Sequence, residues 1–90
     1  FNATAINETI ELNEINVYPN PTNSTITIKA SRTENIHFSI LNNLGVIQPI
    51  FFIKKGDNLF EADIANLPQG VYHLVVEQAQ NKQVKQVVKF

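Results

Sequence analysis

Few side chains in this sequence carry the chemistry that catalysis or ligand binding requires, and their spacing limits what each can do. His37 and His73 are the only imidazoles. His37 stands beside Phe38, and His73 stands between Tyr72 and Leu74, each out of phase with the apolar residues around it. In a strand that phase faces solvent. A metal ion would need further ligands, and no carboxylate stands at a ligand spacing from either histidine. Ser24, Ser31 and Ser39 could serve as nucleophiles, but nothing like a nucleophile elbow or an oxyanion loop surrounds them. Asp57, Glu61, Asp63 and Glu77 fall in turns or on exposed strand faces, where a raised carboxyl pKa is hard to arrange. Tyr72 reads as a core residue whose hydroxyl reaches a backbone partner, as is common in a β-sandwich. Asn2-Ala3-Thr4, Asn7-Glu8-Thr9 and Asn23-Ser24-Thr25 match the glycosylation acceptor pattern, but such triplets arise by chance in an Asn- and Thr-rich chain. Lys85 and Lys89 lie four residues apart and project from one face of a strand, where lysines discourage unwanted pairing and also suit recognition. The sequence is expected to catalyse nothing and to hold no metal or cofactor.

Composition narrows the function further. The chain has 90 residues, a formal net charge of −1 and no Cys, Met or Trp. That is one domain's length, and a domain this small has a stability of about 5–13 kcal/mol at typical per-residue values. It tolerates few buried polar groups, which argues against a deep catalytic cleft. Acids and bases are interleaved, so nucleic acid and anionic membrane surfaces are not expected partners. Without cysteine the core holds by packing alone. No initiator Met opens the chain and Phe1-Asn2-Ala3-Thr4 begins neither a signal peptide nor a membrane span, so a piece of a longer, processed protein is expected.

The elements that must position these residues are short apolar runs separated by turn signals, the rhythm of a β-sandwich or barrel. Seven strands are predicted: Ile15–Tyr18, Thr25–Lys29, Ile36–Leu41, Val46–Ile53, Leu59–Ile64, Val71–Glu77 and Gln83–Phe90. Pro19 and Pro21 fix φ and remove donors, so the first strand stops there. Asn42-Asn43-Leu44-Gly45 supplies a turn, because Asn and Gly accept positive φ. Pro49 inside the fourth run demands a bend, a bulge or an edge. Further turns are expected at Lys54–Asn58, Asn66–Gly70 and Gln78–Lys82, with one helical turn near Asp63–Leu67 as the only departure from β-structure. Residues 1–14 hold only Ile6, Ile10 and Leu12 as aliphatic core candidates and read as a linker or a weakly held edge segment, leaving 15–90 as the folded domain.

Taken in order, several segments form a set. Val17-Tyr18-Pro19-Asn20-Pro21 runs into alternating Thr25-Ile26-Thr27-Ile28; Ile40-Leu41-Asn42-Asn43-Leu44-Gly45 follows; then Leu67-Pro68-Gln69-Gly70-Val71-Tyr72-His73-Leu74-Val75-Val76; and Val84-Lys85-Gln86-Val87-Val88-Lys89-Phe90 closes the chain. This set resembles the C-terminal sorting domain of cargo proteins of the type IX (Por) secretion system of Bacteroidetes, over roughly Ile15 to Phe90. Ser24 departs from the Gly frequent after the Pro-Asn-Pro turn, and Val46 from the basic or polar residue common after Gly45. The resemblance implies an immunoglobulin-like antiparallel sandwich of about seven strands that directs a larger cargo across the outer membrane. It also implies a translocon and sortase-like components as partners, with removal of the domain after export in many members. The location implied is the cell surface or the medium.

Pro19, Asn20, Pro21, Asn42, Gly45, Leu67, Gly70 and Tyr72 make sense first as determinants of the fold. Recognition is then expected on what stays exposed, the terminal strand with Lys85, Val87 and Lys89, through strand addition at its edge. The alternatives are an accessory immunoglobulin-like or carbohydrate-binding module, and a fragment of an enzyme whose active residues lie upstream.

Overall fold

Alternation of β-branched and polar residues produces strands, and the strands produce two sheets. The structure is a computed structural model that describes residues 13–79 and 81–90. Its strands are β1 (Ile15–Tyr18), β2 (Thr25–Ala30), β3 (Ile36–Leu41), β4 (Phe52–Lys54), β5 (Leu59–Asp63), β6 (Gly70–Gln78) and β7 (Asn81–Lys89). One sheet has the order β1-β2-β5-β4 and the other β3-β6-β7. All of the strand pairs are antiparallel. This order is that of a constant-type immunoglobulin sandwich.

Register matches side-chain volumes across the core. Ile15 lies opposite Ala30 and Ile26 opposite Ala62, so large residues meet small ones at these two pairs of the four-stranded sheet, while Ile28 lies opposite the larger Phe60. Facing them, Ile40, Tyr72, Leu74, Val76 and Val87 come from the three-stranded sheet. Phe38 bridges the layers, its ring 4.8 Å from that of Phe60 in an edge-to-face contact and 5.2 Å from that of Phe52. Ile26, Ile28, Ile40, Ile64, Leu74 and Val87 are fully buried, and each such side chain contributes about 1.5–3 kcal/mol of burial.

The fourth predicted strand is two pieces. Val46–Gln48 lies along β3, with Asn42 N donating to Val46 O at 3.0 Å and Gln48 N donating to Ile40 O at 2.7 Å. Phe52–Lys54 pairs instead with β5 in the other sheet. Pro49, which has no N–H for a ladder, sits at the crossing. The expected helical turn is a hydrogen-bonded turn only: Leu67 N donates to Ile64 O at 3.0 Å, while Ala65 N donates to Asp63 Oδ1 at 2.9 Å. The β6–β7 connection is tighter than expected, since Gln78 already lies opposite Asn81.

The first segment changes sheets too. β1 pairs with β2, but beyond Tyr18 the chain crosses and Thr22 forms a parallel bridge with Lys89 of β7. Both Tyr18-Pro19 and Asn20-Pro21 are cis. The two proline-bearing segments thus cover opposite edges of the three-stranded sheet, Val46–Gln48 at β3 and Asn20–Thr22 at β7.

Candidate recognition surface

β7 takes its facing from its pairing with β6. The register sets Val87 opposite Tyr72 and Lys85 opposite Leu74, so the odd-numbered residues of β7 turn toward the sandwich. Val87 is 0% exposed and Lys89 only 8%. The expectation that Lys85, Val87 and Lys89 are all exposed is therefore corrected. Val87 is core, and the Lys89 stem is covered, with its Nζ 3.5 Å from Phe90 O. Lys85 is half-buried and borders an open cleft of about 420 Å³ between β1 and β7, shared with Glu14 and Asn16. Inward-turned charges at a sheet edge oppose pairing with a foreign strand.

Asn20 and Thr22 fasten the outer edge of β7. Asn20 Nδ2 donates to Gln86 O at 2.8 Å and its Oδ1 accepts from Val88 N at 3.0 Å, so one side chain takes the place of a neighbouring strand. Thr22 N donates to Val88 O at 2.9 Å, and Phe90 N donates to Thr22 O at 3.0 Å. Thr22 is itself buried, and its hydroxyl donates to Thr25 O at 2.7 Å. Nearer the start of β7, at Lys82 and Val84, the outer edge has no backbone partner among the described residues.

The remaining motif residues build turns. Asn42 Oδ1 accepts from Leu44 N at 2.9 Å and from Val46 N at 3.0 Å, and Gly45 N donates to Asn42 O at 2.9 Å. Gly45 has φ +80° and Gly70 has φ +151°, both in the half of conformational space that side chains disfavour. Leu67 is buried beneath the next turn, and the Tyr72 hydroxyl donates to Pro68 O at 2.6 Å. This is the tyrosine corner of immunoglobulin-like sandwiches, in which a Tyr near the start of the sixth strand ties down the preceding loop.

These turns share one end of the molecule. Tyr18 pairs with Thr27, Thr25 with Asp63, Leu41 with His73, and Gly70 with Lys89, which brings the three turns and the end of β7 to one pole. A cleft of about 270 Å³ opens there between Asn42–Leu44 and Pro68–Tyr72.

The other pole is held by Asn13, which sequence reasoning left in the N-terminal segment. Asn13 is 5% exposed. Its Oδ1 accepts from Arg32 N and Ser31 Oγ, both at 2.8 Å, and its Nδ2 donates to Gln78 Oε1 at 2.7 Å and to Arg32 O. Gln83 Nε2 donates to Asn13 O at 2.6 Å. These partners come from segments far apart in the chain, so no local pattern could have revealed them. Asn13 is held within the sandwich; of the segment 1–14 expected as a linker or weakly held edge, residues 1–12, together with the triplets at Asn2 and Asn7, lie outside the described residues.

His37 and His73 take the outer face of the three-stranded sheet, opposite Glu77 and Leu41 respectively. No group of three or more His, Cys, Asp or Glu among the described residues could hold a metal ion. Ser31 is engaged with Asn13, Asp63 with Ala65 N, and Glu61 with Lys55 at 3.8 Å across an exposed surface.

No curated protein and no solved structure gives a significant match to the chain. The profile of a family described as the secretion system C-terminal sorting domain matches residues 16–89, which run from β1 to the last residue of β7. With that match over nearly the whole sandwich, the chain belongs to the family of C-terminal sorting domains of the Por (type IX) secretion system, signals that send a cargo protein to the cell surface or the medium.

Proposed function

We propose that the folded sandwich, and no catalytic group within it, is what the outer-membrane translocon and the sortase-like components of the system read. The observation that carries this is the use made of the motif residues: Asn20 and Thr22 fasten β7, Asn42 and Gly45 shape one turn, and Leu67, Gly70 and Tyr72 shape another. Motifs spent on holding the fold favour a label recognised by its shape over a linear peptide. On the terminal strand, Lys85 and the open backbone edge around Val84 are the groups available for contact. Val87 and Lys89 serve by keeping that strand in place.

The test is a reporter fused upstream of residues 1–90, expressed in a host with the secretion system and in the same host with it deleted. Export only in the intact host supports the reading. Export in the deleted host, or retention in both, removes it.

A further inference from the structure

We propose that the pole built by the three motif turns is the docking face of the signal, and that its partner is a neutral, apolar surface on a protein of the secretion machinery. The inference rests on the sorting function and adds where the contact falls and of what kind it is.

Charge is divided between the two ends of the sandwich. Pro19–Ser24, Asn42–Val46 and Ile64–Gln69 contain no Asp, Glu, Lys, Arg or His. The charges nearest this pole are Asp63, exposed at the rim with one carboxylate oxygen on Ala65 N, and Lys89, which is covered and bridged to Thr22. The opposite end carries Glu14, Arg32, Glu34, Lys55, Asp57 and Lys82. Interface centres are depleted of charge in the same way, since a charge buried at a contact loses its hydration.

The motif pole also displays apolar side chains that the fold does not use. Leu44 is 87% exposed, in a turn whose geometry Asn42 and Gly45 already supply. Val46 and Phe90 are exposed at the same end. The cleft of about 270 Å³ between Asn42–Leu44 and Pro68–Tyr72 includes Leu44 in its lining and has room for a side chain from a partner. Displaying such groups carries a solubility cost, and grouped apolar exposure of this kind marks contact sites.

Asn13, the first described residue, lies at the charged end, bound to Ser31, Arg32, Gln78 and Gln83, and so stands across the sandwich from the motif pole.

The experiment uses the reporter fusion of residues 1–90 with Leu44→Glu, Leu44→Met and Lys55→Glu, each checked by circular dichroism and urea midpoint. Leu44→Glu is expected to lower the exported fraction about ten-fold, equivalent to roughly 1.4 kcal/mol of docking free energy, with an unchanged midpoint. Leu44→Met and Lys55→Glu are expected to export as the parent does. Normal export of a folded Leu44→Glu fusion overturns the proposal, as does an equal loss in Lys55→Glu, which would place the contact at the charged end. Export of the parent fusion without the secretion system would instead overturn the sorting function beneath it.

Discussion

Asn20 brackets Val88: its Oδ1 accepts from Val88 N at 3.0 Å, while its Nδ2 reaches the carbonyl of Gln86 two residues before. A side-chain amide presents a donor and an acceptor side by side without charge, as a backbone strand does. Replacing Asn20 with Ala is expected to lower stability by about 1–2 kcal/mol, since both bonds are solvent-accessible and each is worth about 0.5–1.5. Asn20→Asp should fall between, because it keeps the acceptor for Val88 and loses the donor to Gln86. Urea unfolding of the variants checks the order.

Tyr72 makes a similar tie within one loop. Tyr72→Phe keeps the buried ring and removes the 2.6 Å bond to Pro68 O. The expected loss is about 1–2 kcal/mol with the fold retained, read as a lower urea midpoint at an unchanged m-value.

Asn13 should matter more than its place outside any strand implies. Its amide serves Arg32, Ser31 and Gln78 in a buried setting. Asn13→Ala strands several of these groups and is expected to cost about 2–4 kcal/mol, a large share of the total for a domain of this size. Amide hydrogen exchange at Arg32 N, which donates to Asn13 Oδ1, should quicken disproportionately in the variant.

The two motif glycines separate backbone strain from steric exclusion. An added Cβ would meet nothing within 4 Å at Gly45 or at Gly70, so the penalty there is conformational alone. Ala at either position is expected to destabilise by about 1–2 kcal/mol. Asn should largely rescue position 45, whose φ of +80° lies near the left-handed region that Asn tolerates, and should not rescue position 70 at +151°. Thermal denaturation of the four variants makes the comparison.

Lys85 and Lys89 should part company despite sharing a face. Lys85→Ala removes a half-exposed charge that has no ion-pair partner among the described residues, so stability is expected to change by less than about 0.5 kcal/mol. Lys85 lies outside the motif pole, beside Glu14 and Asn16, so export of a fused reporter is expected to match the parent's in this variant. Lys89→Ala deletes a covered aliphatic stem and is expected to lower the urea midpoint instead.

Much of the sandwich was legible because alternation and turn chemistry are local. Ile15–Tyr18 and Ile36–Leu41 match their predicted bounds, and β2, β5, β6 and β7 differ only at their ends. Pro49 correctly signalled an interruption, but nothing nearby told that Val46–Gln48 and Phe52–Lys54 would join different sheets. That choice belongs to edges supplied by β3 and β5, which no neighbouring residue encodes. The recognition residues were read less well for the same reason. Lys85, Val87 and Lys89 share a parity, yet which parity is inward depends on pairing with β6 and on the cover given by Thr22. The latch at Asn13 lay furthest from view, because its partners reach as far along the chain as Gln78 and Gln83.

The bond from Thr22 to Val88 joins an early segment to the last strand. A ribosome releases Thr22 long before Val88, so this closure waits until the whole span between them has been made. A chain that stops short of Val88 lacks both this tie and Val87, one of the fully buried side chains between the sheets.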